Sequence, residues 1–195
     1  MTVKHLRELL FRYRGYTPLP FLAAMVLFAR PTGWSMAAGA VVALLGEATR
    51  FWGVAYAGAL TRVTGGVGAP EVIVAGPFAR VRNPLYVGNI LTYVGIGIMA
   101  NALSPWLVLA AAAWFIFQYI EIVALEEEFL DGRFGESYRE YRRNVPRFIP
   151  RLTAYRHDAQ ARQHVRWDEA FRSERRTFQA FGLVMLLLVV LWLRS

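Results

Sequence analysis

The chain has 195 residues, a net charge of +8 and a hydrophobic content of 56%, with a mean hydropathy of +0.32. It contains no cysteine, which excludes disulfides, thiolate metal sites and cysteine nucleophiles. Its charges are gathered into blocks that leave long tracts almost bare, the pattern of a single-domain integral membrane protein rather than of a soluble globule.

The first fourteen residues are amphipathic, with Leu6, Leu9, Leu10 and Tyr13 at helical spacing between Lys4, Arg7, Arg12 and Arg14. They predict a short interfacial helix leading into a first span, not a cleaved signal. That span is expected from Tyr16 to Ala29, opened by Pro18 and Pro20, and broken at Arg30-Pro31-Thr32-Gly33. A second run extends from Trp34 to Leu60. It contains Glu47 and Arg50, whose spacing of three predicts an ion pair on one helix face. An intramembrane pair of this kind is a functional candidate, or equally a clasp against a neighbouring helix.

Thr61 to Pro70 is a glycine-rich break, and Glu71 to Ala75 reads as a short extended piece. A third span is predicted from Pro84 to Ala100, where Gly88, Gly95 and Gly97 permit close helix approach. After the polar break Asn101 to Ser104, a fourth runs from Pro105 to Leu125. Glu126 to Tyr141 carries apolar residues at helical spacing. Tyr155 to Arg176 reads as a second amphipathic surface helix, and Phe178 to Leu193 as a last span. The fold class is therefore all-α, a polytopic membrane bundle of about five transmembrane helices with amphipathic cytoplasmic helices.

Lys4 is the sole lysine, and the arginines gather in the N-terminus, the 61–82 loop and the 126–176 segment. The positive-inside rule makes those regions cytoplasmic. Attraction to anionic membrane lipids accounts for the charge, and no nucleic-acid partner is expected. Arginine in preference to lysine points to a GC-rich bacterial source, hence an inner-membrane location. His5, His157 and His164 are too scattered for a metal site.

Two consecutive spans would return both polar ends of residues 76–150 to one membrane face. The first end reads Gly76-Pro77-Phe78-Ala79-Arg80-Val81-Arg82-Asn83-Pro84-Leu85-Tyr86-Val87-Gly88. The second has Glu126-Glu127-Glu128-Phe129-Leu130, Phe134-Gly135, Tyr138, Tyr141 and Val145-Pro146-Arg147-Phe148-Ile149-Pro150. A carboxylate there accepts from an amine or a ribose diol, while Arg82, Asn83 and the N–H groups opening the third helix donate to an anion. Such facing donors and acceptors suit a zwitterion with a nucleoside attached, although paired glutamates at a helix end also serve as a plain solvated face.

Together the two ends, over Glu71 to Pro150, resemble the isoprenylcysteine carboxyl methyltransferase family and the related phospholipid N-methyltransferases. The resemblance implies an all-helical membrane enzyme that binds S-adenosyl-L-methionine at the cytoplasmic face and takes a lipophilic or lipid-linked acceptor from the bilayer. It implies a cofactor site of Pro70, Glu71, Val72, Ile73, Phe78, Asn83, Pro84, Leu85, Tyr86, Glu126 and Glu127, to which the donor reading above adds Arg82. Phe134, Tyr138, Tyr141 and Pro146 would supply lid packing. Residues 71–150 then form the cofactor core of one domain, and 151–195 lie beyond the resemblance, with no assigned role.

Two positions depart from the family pattern. Asn83 stands where the family has histidine, so a hydrogen-bond donor is kept but not a titratable cation. Ile122 stands where the prenylcysteine branch has an arginine for the acceptor carboxylate, which gives amine or hydroxyl acceptors equal standing. Methyl transfer to a carboxylate needs no base; for an amine, Glu121 and Glu47 are the candidate bases. Two rival readings remain: a sterol-reductase-like enzyme that binds NADPH, and a non-enzymatic membrane scaffold.

Overall fold

The computed structural model describes residues 2–58 and 71–194. Among them the regular structure is entirely helical: α1 Val3–Tyr13, α2 Pro18–Leu27, α3 Gly33–Ala57, α4 Pro84–Ala100, α5 Trp106–Phe134, α6 Glu136–Asn144 and α7 Trp167–Arg194. Two short 3₁₀ turns lie at Gly76–Ala79 and Asp158–Arg162. The expected 61–70 break, including Pro70, falls outside the described residues.

The centre of the bundle is the antiparallel pair α3 and α4, brought together by glycine. A Cβ on Gly46 would lie 2.5 Å from the Thr92 backbone nitrogen and 2.7 Å from the Gly88 carbonyl oxygen. On Gly95 it would lie 2.3 Å from the Ala43 nitrogen. Gly39, Gly46 and Gly53 recur every seven residues, as do Gly88 and Gly95, so each helix offers a smooth seam to the other. Around this pair, Met25, Ile96, Met99, Phe115 and Leu188 bring α2, α4, α5 and α7 into one core.

Each helix end has a local cause. Thr32 and Ser35 form a reciprocal capping box that opens α3. Asn101, in the left-handed conformation at φ 48°, closes α4, and its side-chain amide donates to the Arg30 carbonyl at 3.0 Å. Gly135, at φ 53°, ends α5. The apolar-to-charged change at Leu125 does not end it, because the residues up to Phe134 are all tolerated in a helix.

Among the described residues, α5 and α7 are both long enough and apolar enough to cross a membrane. At about 1.5 Å per residue, α5 is ~43 Å long against a hydrocarbon core of about 30 Å, so its charged C-terminal portion has length to project beyond it. The five expected spans are met only in part. α2 has 10 residues and α4 has 17, and Glu47, Arg50 and the glycines dilute the apolar character of α3. Leu44, Leu45, Ile116, Phe117, Leu183 and Leu186 are nonetheless exposed on the bundle's outside, where no soluble core would leave them.

Two further expectations are corrected. Residues 155–166 are not an α-helix; α7 starts at Trp167 and runs without a break into the last apolar run. Nothing between Arg176 and Thr177 stops a helix, whereas Gln160 and Gln163 upstream bind distant backbone groups. The Glu47–Arg50 pair also does not form. Arg50 crosses to α7, where it pairs with Glu174 and donates to Thr177 at 3.3 Å, and it donates to Asn89 on α4 at 3.1 Å. Glu174 offers a fully buried carboxylate from another helix, a better partner than a neighbour on the same one.

Candidate cofactor site

The start of α4 and the last third of α5 lie at one end of the bundle, and there the two motif ends meet. The Tyr86 hydroxyl donates to Glu126 Oε1 at 2.7 Å. One residue on, Glu127 is buried and takes the Arg82 guanidinium at 3.0 and 2.8 Å, with Arg147 on its other oxygen. The remaining Arg82 donor nitrogen reaches the carbonyls of Arg142 and Val145 at 2.9 and 2.5 Å. Each of the three Arg82 side-chain nitrogens thus makes a bond within the protein. Arg82 and Glu127, both expected at the cofactor, form a clasp between the motif ends.

The Val145-Pro146-Arg147 turn closes onto the same place. The Arg82 amide donates to the Pro146 carbonyl at 2.9 Å, and the Asn83 side-chain amide to the Arg147 carbonyl at 3.1 Å. A neutral donor is sufficient for that bond, so asparagine serves at position 83 without a charge.

Pro84, at the first position of α4, has no N–H to lose. The N–H groups of Leu85 and Tyr86 are left without intrahelical acceptors and carry the positive end of the helix dipole. The Tyr86 ring lies 4.8 Å from that of Tyr119 on α5, and deeper in the bundle Tyr93 stacks on Phe115 at 4.5 Å. One wall is therefore aromatic. Ile122 on the same helix is fully buried.

The third side is the 71–80 segment. Glu71 is exposed, Val72 and Ile73 are half-buried, and Phe78 is buried in the 3₁₀ turn. The Tyr141 hydroxyl donates to the Phe78 carbonyl at 2.8 Å. Tyr138 and Tyr141 on α6 pack with Val74 and Val145, with Leu130 and Phe134 alongside. Burial pushes both phenols well above their usual range, so they stay neutral; both pack, and Tyr141 also donates. Phe134, Tyr138 and Tyr141, expected as lid packing, thus pack α6 and the end of α5 against Val74 and Val145.

The two candidate bases differ. Glu121 is tied to Arg7 of α1 at 2.8 Å. Glu47 is buried and forms no ion pair among the described residues. No group of three or more His, Asp or Glu is placed to hold a metal ion among the described residues.

Sequence reasoning missed Arg14, Glu174, Gln160 and Gln163. Arg14, at the end of α1, lies over the Phe11 ring at 3.9 Å, near enough for its charge to act on both Tyr86 and Glu126. The one signal available was its place at the end of an amphipathic helix. The two glutamines carried none.

The sequence profile described as phospholipid methyltransferase matches residues 34–137. The chain belongs to the phospholipid methyltransferase family. Its relatives include a nickel-cobalt-cadmium resistance protein of Alcaligenes xylosoxydans xylosoxydans, 30% identical over 74% of this chain and 68% of that protein. A cobalt-zinc-cadmium resistance protein of Cupriavidus metallidurans is 38% identical over 48% of this chain and 42% of its own length. The protein-S-isoprenylcysteine O-methyltransferase of Schizosaccharomyces pombe is 32% identical over 40% of this chain and 33% of that enzyme. The chain thus spans about two thirds of the first of these and less than half of the other two. No solved structure matches it.

Proposed function

We propose that this family member is an integral membrane methyltransferase that uses S-adenosyl-L-methionine and modifies a lipid or lipid-linked acceptor. The observation that carries this is the 2.7 Å bond between Tyr86 and Glu126, which joins motif ends forty residues apart at one end of the bundle. The residues present suit the cofactor. Glu126 forms no ion pair among the described residues, which leaves an acceptor for an amine or a ribose diol. The two open N–H groups of α4 supply donors for a carboxylate. When bound, the cofactor supplies a methyl group already activated on a sulfonium.

The protein's own work is to align and to exclude water. The Arg82–Glu127–Arg147 clasp fixes α4 against α5, and Tyr86 orients the Glu126 carboxylate. The buried Tyr138–Tyr141 packing holds α6 against the 72–74 segment, and the Tyr86–Tyr119 pair lines the α4–α5 side with apolar surface. Ile122 offers no guanidinium to a carboxylate, so an amine or hydroxyl acceptor is the better fit. Glu121 is engaged by Arg7, which leaves Glu47 as the carboxylate to take a proton from an amine.

The arginine distribution supports placing the cofactor end in the cytoplasm, and we extend this to a bacterial inner membrane. The test is incubation with labelled S-adenosyl-L-methionine and a total lipid extract, followed by mass spectrometry of the lipids. A methylated lipid is the expected outcome. No labelled product, together with a thermal shift from NADPH in place of S-adenosyl-L-methionine, would favour a reductase.

A further inference from the structure

Residues 71–75 are extended without belonging to a sheet, and buried backbone groups in such a piece need partners. Two side chains from the 151–166 segment supply them. Gln163 Oε1 accepts from the N–H groups of Val74 and Ala75 at 2.8 and 3.1 Å, and its Nε2 donates to the Val72 carbonyl at 2.8 Å and to Glu71 at 3.2 Å. Both edges of one amide are used, which fixes its orientation. Gln160 Nε2 donates to the Val74 carbonyl at 2.9 Å and to the Tyr155 carbonyl at 2.8 Å.

The same segment binds the next stretch through its backbone: Arg151 N–H to the Arg80 carbonyl at 3.0 Å, and Tyr155 N–H to the Ala79 carbonyl at 2.8 Å. Gln163 is 8% exposed although Ala161, Arg162, His164 and Val165 around it are all exposed. This is a side chain turned inward from a surface strap.

We infer that residues 151–163 are a strap that shapes the cofactor site, with Gln163 as a positioning residue that sets the 71–78 segment against the cofactor. This rests on the functional reading above. The strap lies beyond both the Glu71–Pro150 resemblance and the 34–137 family match, in the tail to which neither assigns a role. Its backbone bonds at Ala79 and Arg80 hold the segment's far end, while Gln163 fixes the near end. Loss of the amide should therefore loosen the site without dismantling the bundle.

The test compares wild type with Gln163→Leu, Gln163→Glu and, as a control outside the strap, Arg172→Ala on the exposed face of α7, by two measurements: calorimetric binding of S-adenosyl-L-methionine and hydrogen exchange at Val74 and Ala75. Leucine removes every bond; glutamate keeps an oxygen for the two N–H groups. The expected result is about tenfold weaker binding for Gln163→Leu, with faster exchange at both amides. Gln163→Glu should recover part of the affinity, and Arg172→Ala should match wild type. Faster exchange in Gln163→Leu with unchanged binding would overturn the strap alone. Wild-type protein that does not bind S-adenosyl-L-methionine would overturn the strap together with the function it serves. Should Gln163→Leu fail to fold, Gln163→Asn, one methylene too short to reach, takes its place with the same outcomes.

Discussion

Glu127→Ala tests whether the two motif ends are held by a buried charge cluster. In the wild type, Glu127 and Arg82 have side chains only 6% and 9% exposed, while Arg147 is 39% exposed. Removing the carboxylate lets Arg147 relax into water but leaves the Arg82 guanidinium buried. Breaking a buried pair from one side costs about 3–5 kcal/mol. Arg82 keeps the Arg142 and Val145 carbonyls, so the lower end applies, about 3 kcal/mol. For a chain of this size that is a fall of roughly 6–12 °C in melting temperature. The assay is thermal unfolding in detergent micelles, followed by circular dichroism. Replacing both partners, as Arg82→Met with Glu127→Leu, removes the stranded charge and should recover most of the loss. A Glu127→Ala protein that melts within about 2 °C of wild type, or a double variant no better than the single one, would refute the clasp.

Further outcomes follow from other parts of the structure. Gly46→Leu forces a side chain into the Thr92 and Gly88 backbone and should cost at least about 1–3 kcal/mol, read as lost folded yield; Gly132→Ala, with nothing within 4 Å of the new methyl, should be neutral or better. Glu121→Gln removes a partly exposed pair with Arg7, worth under about 1 kcal/mol. It should leave methyl transfer intact, and a loss of activity without a loss of stability would restore Glu121 as a base. Glu47→Gln should abolish transfer to an amine acceptor while leaving cofactor affinity unchanged; weakened cofactor binding would place Glu47 elsewhere in the site.

The parts legible in the sequence were those set by local chemistry. Pro84 and the Asn101 break gave the limits of α4, the leucine spacing gave α1, and the family pattern brought Tyr86 and Glu126 together before any geometry was known. The parts missed depend on partners far along the chain. Arg50 is three residues from Glu47 but pairs with Glu174, 124 positions away, because two helices pack where one helix face suggested a local bond. The stretch 155–166 has a helix-like pattern, yet its glutamines bind residues 86 to 92 positions earlier. Periodicity cannot reveal that. α5 and α7 each ran through a boundary drawn at a change of polarity, since polarity says where a helix leaves the membrane and not where it stops. Arg82 and Glu127 were read as ligand contacts because their residue types suit a zwitterion; that they also pair with each other depends on the fold.

The most direct measurement is calorimetric titration of S-adenosyl-L-methionine into purified wild type and Glu126→Gln. Loss of a charged hydrogen-bond acceptor predicts affinity about 10- to 100-fold weaker in the variant, with an unchanged fold. Equal affinity in the two proteins, or no binding by either, would contradict a cofactor site built on Tyr86 and Glu126.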